Sequence, residues 1–155
     1  MKKTNAMRIL DRSKVSYNAI TYQVDESDLS ASHVAESLHQ DVSKVFKTLV
    51  LEGDKTGFIV ACIPGAEEVH LKNLAALSGN KKCAMIPMKD ILKVTGYIRG
   101  GCSPFGMKKQ FPTFIDESVL LFNKVYVSAG VRGMQVEISP ADLIQLTRGK
   151  TGKIT

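Results

Sequence analysis

Tryptophan is absent from this 155-residue chain, and histidine and cysteine occur only three times each. Cys62, Cys83 and Cys102 form an odd set without C-x-x-C spacing, which argues against a disulfide framework and against a zinc cluster. Reduced thiols and no bound metal are expected. His33, His39 and His70 belong to no H-E-x-x-H pair, and the spacing of His33 and His39 keeps them off one helix face; surface or helix-end positions are the simplest reading. A G-x-S-x-G elbow, a Walker loop and a dinucleotide fingerprint are also missing, so serine-nucleophile, metal and nucleotide-dependent chemistry lack support and no cofactor is expected. No apolar run approaches the roughly 18 residues of a membrane span. The basic start, Met1 to Asn5, runs into polar sequence rather than into the apolar core of a secretory leader. A cytoplasmic protein without a membrane partner is expected.

What is there suits one folded domain over residues 1–155, about the usual domain size. A hydrophobic content of 44% with 23% charged residues provides for a core and a hydrated surface. Twenty-one Lys and Arg against fifteen Asp and Glu leave a formal charge of +6, which favours a polyanionic partner. The charge gathers at Lys81-Lys82, Arg99, Lys108-Lys109 and the tail Arg148, Lys150, Lys153. The tail reads as a solvated, frayed end.

Thr4 can cap a helix carrying Ala6, Met7, Ile9 and Leu10, followed by a strand-like run from Tyr17 to Tyr22. Asp25 to Ser32 is polar and loop-like; Ser32 can cap a helix through Val34, Ala35 and Leu38, and Asp41 the turn Val42 to Val45. Phe46–Leu51 and Gly57–Ile63 are β-rich runs around Glu52 to Thr56, a hairpin signature. Leu71, Leu74, Ala75 and Leu77 recur at helical spacing until Gly79. A strand near Cys83–Met85 precedes Pro87, which suits the first turn of a helix over Met88–Val94. Gly96 to Arg99 reads as extended, and Phe111–Ile115 as a strand held to an edge or bend by Pro112. Lys124–Ser128 and Met134–Ile138 form a second hairpin, and Ser139-Pro140 opens a last helix, Ala141–Leu146. The absence of strand–helix alternation excludes a doubly wound parallel sheet. An α+β fold is expected: a mixed, largely antiparallel curled sheet or β-barrel surrounded by helices.

The segment Thr95 to Gly106, TGYIRGGCSPFG, combines two glycines with a proline in a short polar loop. Gly100 and Gly101 can take positive φ, while Pro104 restricts itself and Ser103, so the amides can form an anion or oxyanion cradle. An ordinary tight turn is the alternative. Cys102 in this loop has no histidine near it in sequence to activate a thiolate. Lys47 would project its amine from an otherwise apolar strand, where an edge lysine reaching for solvent is the alternative. Tyr22 offers a stacking face or a core phenol.

In order along the chain, Thr21-Tyr22, Val45-Phe46-Lys47-Thr48-Leu49, Gly100-Gly101-x-Ser103-Pro104 with Lys108-Lys109, and Tyr126-Val127-Ser128-Ala129-Gly130-Val131-Arg132-Gly133 resemble the YbaK-type deacylases. These are free-standing relatives of the editing domain inserted in prolyl-tRNA synthetases. The likeness runs from about Met7 to Leu146 and implies a mixed β-barrel with surrounding helices. It also implies hydrolysis of a mischarged aminoacyl-tRNA, Cys-tRNA(Pro), with the aminoacylated 3′ end as partner and prolyl-tRNA synthetase as a second one. By resemblance, Lys47 anchors the terminal phosphate or ribose, the loop of Gly100, Gly101 and Ser103 serves the reacting carbonyl, and Tyr22 and Pro104 line the substrate. Ser128 and Gly130 would form the second wall and Arg132 would meet phosphate. Where the family often carries an aspartate, this chain has Gln135, a neutral residue in place of a charged contact to the substrate amino group. The implied chemistry is substrate-assisted, with the cysteinyl thiol attacking its own carbonyl. The alternatives are a deacylase for Ala-tRNA or another small misacylated tRNA that positions a water, or a tRNA- or synthetase-binding module without catalysis.

Overall fold

The computed structural model describes residues 3–155, so the first two residues of the basic start lie outside the described residues. The chain forms helix α1 (Asn5–Arg12), strand β1 (Tyr17–Thr21), α2 (Ala31–Leu38), β2 (Phe46–Gly53), β3 (Gly57–Pro64), α3 (Leu71–Ser78), β4 (Cys83–Met85), α4 (Ile91–Thr95), β5 (Thr113–Asp116), β6 (Val125–Ser128), β7 (Met134–Ile138), α5 (Pro140–Thr147) and β8 (Lys150–Gly152). Short 3-10 turns at Val42–Lys44, Met88–Asp90 and Glu117–Leu121 join them.

The strands make two sheets, ordered β1-β7-β6 and β4-β2-β3-β5-β8. All pairings are antiparallel except β3 with β5 and β5 with β8. The α+β expectation therefore holds, and the closed barrel does not. Among the described residues only an isolated bridge between Val45 and Tyr126 connects the sheets, so the backbone ladder stops short of a ring and leaves a cleft.

Alternation along β2 and β3 explains the two-sided packing of the larger sheet. Phe46, Val60 and Cys62 face a core shared with the second sheet, α1 and α5, through Leu10, Val127, Val136 and Leu143. Leu51, Ile59, Ala61 and Ile63 face Leu74, Ala75 and Ile154 instead. A central strand buried on both faces reads as an unbroken apolar run, as Ile59 to Ile63 does. A third cluster packs Val34 and Ala35 of α2 on Val45 and Tyr126, with Ile20 and Tyr22 against it.

Several local expectations are corrected. Ser30, not Ser32, caps α2, its hydroxyl accepting the His33 amide at 3.2 Å. The strand after Pro112 is interior, between β3 and β8. Pro112 precedes the paired residues, and its carbonyl accepts the Val60 amide at 2.9 Å, so the missing N–H costs no ladder bond. Gly96 to Arg99 forms no strand: Gly96, at φ 86°, ends α4, and the chain turns at Arg99-Gly100. The tail is not frayed: Lys150–Gly152 pairs with β5, Ile154 is fully buried, and its amide donates to the Asp116 carboxylate at 3.1 Å. One apolar side chain at the right register overrides the charges around it. The histidines are helix-end residues as expected where His70 caps α3, through Nδ1, and His39 ends α2 in the left-handed region.

Candidate active site

The cleft between the sheets is a cavity of about 350 Å³. The start of α2, the first half of β2, the segment after β4, the glycine loop, Ser128 of β6 and Gln135 of β7 all contribute to it. Gly65 brings α2 there. A Cβ at Gly65 would sit 2.2 Å from that of Ala31, so only glycine lets the helix start close on the end of β3.

Lys47 enters the cleft from β2, where it is paired with Ile63. It is half-buried, and burial pulls its amine below the ordinary 10.5, opposed by the charges of Glu68 and Glu67. An amine in that setting is a cation whose solvation is incomplete, ready for an anionic or hydroxyl-bearing ligand.

Ser128 and Gln135 are cross-strand partners on the face of their sheet that carries Tyr126, opposite the apolar face of Val127 and Val136. The Ser128 hydroxyl accepts the Gly130 amide at 3.1 Å, which directs it. Gln135 is 5% exposed, and among the described residues its Oε1 has no hydrogen-bond partner. A buried acceptor without a partner costs about 1–3 kcal/mol, so this carbonyl is free to accept from a group in the cleft.

The glycine loop divides into two parts. Arg99, Gly100 and Cys102 line the cavity. Gly100 holds φ 82°, and a Cβ there would press on Arg132 at 3.2 Å and Leu29 at 3.4 Å. Among the described residues, the Gly100 and Cys102 amides make no internal hydrogen bond, whereas the Gly101 amide donates to the Ile98 carbonyl at 2.9 Å. Gly101 packs against the backbone of Val131 and Arg132. Ser103 is fully buried with its hydroxyl accepting the Phe105 amide at 3.2 Å, and Pro104 is buried beside it. Gly100 and Cys102 thus bring unbonded amides to the cavity wall, while the Gly101 amide is spent on Ile98 and Ser103 and Pro104 are buried.

Three further candidates stand outside the cavity wall. Tyr22 packs against the α2 cluster and donates its backbone amide to the Gly133 carbonyl at 2.9 Å. Gly130, at φ 104°, lies against the ring of Tyr97. Arg132 is an internal strut: Nε donates to the Arg99 carbonyl at 2.8 Å and the guanidinium to Glu26 at 2.6 Å. It ties the β6–β7 turn to the glycine loop and to the segment before α2.

Cys102 is in the wall, but burial pushes its thiol up to about 11, far from a thiolate at neutral pH. Cys62, buried 3.9 Å from the Thr48 hydroxyl, is pushed up to about 12. Among the described residues no group of three His, Cys, Asp or Glu side chains could hold a metal ion. Sequence reasoning missed Gly65, the α2 start and the Met85, Met88 and Ile91 side of the cavity. Pro64-Gly65 at a strand end was a usable turn signal; nothing local marked the others.

This α+β fold holds a cleft lined by a half-buried lysine, by Gly100 and Cys102 of the glycine loop and by the buried Gln135. Residues 26–146 match the aminoacyl-tRNA editing domain. The chain belongs to that family. An Enterococcus faecalis protein that carries the provisional name Cys-tRNA(Pro)/Cys-tRNA(Cys) deacylase EbsC is 51% identical over 154 residues, 99% of this chain and 94% of that one. A proline–tRNA ligase of Thermosipho africanus is 32% identical over 80 residues, 52% of this chain and 14% of the ligase. A crystal structure described provisionally as a trans-editing enzyme for prolyl-tRNA synthetase superposes with a TM-score of 0.83 at 20% identity, covering 100% of this chain and 99% of that one, which is a likeness of fold.

Proposed function

We propose that the protein is a trans-editing deacylase that removes cysteine from Cys-tRNA(Pro), acting in the cytoplasm alongside prolyl-tRNA synthetase. The observation that carries the reading is the meeting of Lys47, Gly100, Ser128 and Gln135 in one cavity whose lining holds no histidine or carboxylate to activate a protein nucleophile. Such a site suits a substrate that brings its own nucleophile. Lys47 holds the terminal phosphate or ribose, and the α-ammonium group of the aminoacyl moiety donates to Gln135 Oε1, a neutral acceptor in place of a carboxylate. The cysteinyl sulfur attacks its own carbonyl. A C–S bond forms, the ester C–O bond breaks, and the thiol proton leaves with the ribose oxygen; water then opens the cyclic thioester. The Gly100 and Cys102 amides receive the developing oxyanion, a donor of that kind being worth about 2.7–4 kcal/mol. Orientation for intramolecular attack supplies about 7–11 kcal/mol more.

The test is a panel of tRNAs charged with cysteine, serine, alanine and proline, with and without the synthetase, followed by ester loss. Cys-tRNA is cleaved and Ser-tRNA, with a far less acidic hydroxyl, stays nearly intact. Equal rates on both would overturn the thiol-assisted route, and cleavage of Ala-tRNA in preference would replace it with a positioned water.

A further inference from the structure

One side of the cavity mouth has a composition that the aminoacyl group does not account for. From Met85 to Ile98 the chain exposes large apolar side chains: Met85 at 48%, Met88 at 62%, Leu92 at 54% and Ile98 at 47%. Met85 and Met88 also line the cavity, and Leu92 follows Met88 by one helical turn, so the apolar surface continues outward from the site. Exposed apolar surface with a charged rim marks an interaction site.

The rim is cationic. Lys89, Lys93, Arg99 and Lys108 are all exposed. The Lys108 stem lies against Gly96, where a Cβ would be 3.3 Å away, and its amide donates to the Thr95 carbonyl, which fixes it at the end of α4. Asp90 is the one acid between Met85 and Lys109, against Lys89, Lys93, Arg99, Lys108 and Lys109. Neither ion pair among the described residues, Lys3–Asp11 or Arg132–Glu26, involves any of these cations. A protein partner would have to bring an acidic apolar face. A single RNA strand brings both complements at once: phosphates for the cations and the apolar faces of unpaired bases for soft, polarizable Met and branched aliphatic surface.

We infer that the apolar, basic face of Met85–Ile98 with Lys108 is the docking surface for the single-stranded 3′ end of the substrate RNA, the nucleotides behind the one seated in the cavity. This rests on the deacylase reading and adds the path by which the strand leaves the site. It makes the terminal adenosine ester a complete substrate for chemistry and an incomplete one for binding.

The experiment compares the wild type with Lys89→Glu/Lys93→Glu and with Leu92→Ser, on Cys-tRNA(Pro) and on 3′-O-cysteinyl-adenosine, alongside titration of uncharged tRNA at several salt concentrations. The double variant raises KM for the charged tRNA about tenfold while kcat/KM on cysteinyl-adenosine stays level, and its log K against log salt slope falls by about 1.4, at roughly 0.7 per phosphate of a single strand. Leu92→Ser raises KM for the charged tRNA without changing that slope. Equal losses on both esters, or no loss on either, overturn the surface. So does unchanged tRNA binding with loss only of a synthetase-dependent rate, which would assign the face to a protein. A wild type that cleaves neither ester refutes the deacylase reading instead, and the salt titration of uncharged tRNA then decides the surface alone.

Discussion

The core and the cleft are built on the same strands and differ in how completely their groups are satisfied. In the core, Val60, Cys62, Val127, Val136 and Leu143 are buried among apolar neighbours, and the backbone is held in ladders. In the cleft, one residue along or one face over, Lys47 is incompletely solvated, Gln135 keeps an unpaired carbonyl and the Gly100 amide is unbonded. The core is arranged for the stability of the chain alone. The cleft holds groups that the protein itself satisfies less completely, and the difference teaches that the same strands can close one face for stability and leave the other open for contact.

The sharpest break between the two regions comes from one substitution in each. Leu143→Ala empties a fully buried site and costs about 2–5 kcal/mol, read as a lower denaturant midpoint. Lys47→Ala leaves that midpoint unchanged or higher and lowers kcat/KM on Cys-tRNA about 100-fold, which is about 2.7 kcal/mol of transition-state binding. The sign of the pH dependence agrees. With the folded amine below 10.5, the unfolded chain binds more protons in the alkaline range just under that value, so this lysine makes stability rise with pH there, and Lys47→Ala removes the rise.

Gln135→Leu sharpens the comparison by converting cleft into core. It removes a buried acceptor without a partner, so the melting temperature rises while deacylation falls about tenfold, a trade of about 1.4 kcal/mol in binding against relief of an unpaired polar group. Loss of both stability and activity would mean that the amide is a structural bond in solution. The smallest effect belongs to Cys102→Ala. A thiol pushed up to about 11 is no nucleophile at neutral pH, so deacylation persists within about twofold, and a dead variant would return the protein thiol to the chemistry.

Most of the fold could be read from the chain because its signals are local. The β2–β3 hairpin, the β6–β7 hairpin, the Thr4, Asp41 and Ser139 caps and the glycine stop after α3 each depend on residues a few positions apart. Two misplacements are local, the α2 cap at Ser30 and the Gly96 stop after α4, and the larger ones involve contacts distant in sequence: Lys150–Gly152 needs β5 as a template, and the interior position of the strand after Pro112 depends on β3 and β8 together. The site divides in the same way: Lys47, Gly100, Ser128 and Gln135 belong to short motifs, whereas the bonds of Arg132 to Glu26 and to the Arg99 carbonyl join segments far apart in the chain.

Residue order determined which groups this protein carries toward chemistry: a lysine in an apolar strand, flexible glycines ahead of a proline, a glutamine beyond a turn, and no histidine-activated nucleophile. Tertiary structure decided which of them face one cavity. It turned Gly100 outward and Ser103 inward, left Gln135 without a donor, and opened the space by stopping the two sheets short of closure. The physical reason is that conformational preferences act between neighbours in the chain, whereas burial and hydrogen-bond satisfaction exist only once distant segments have met.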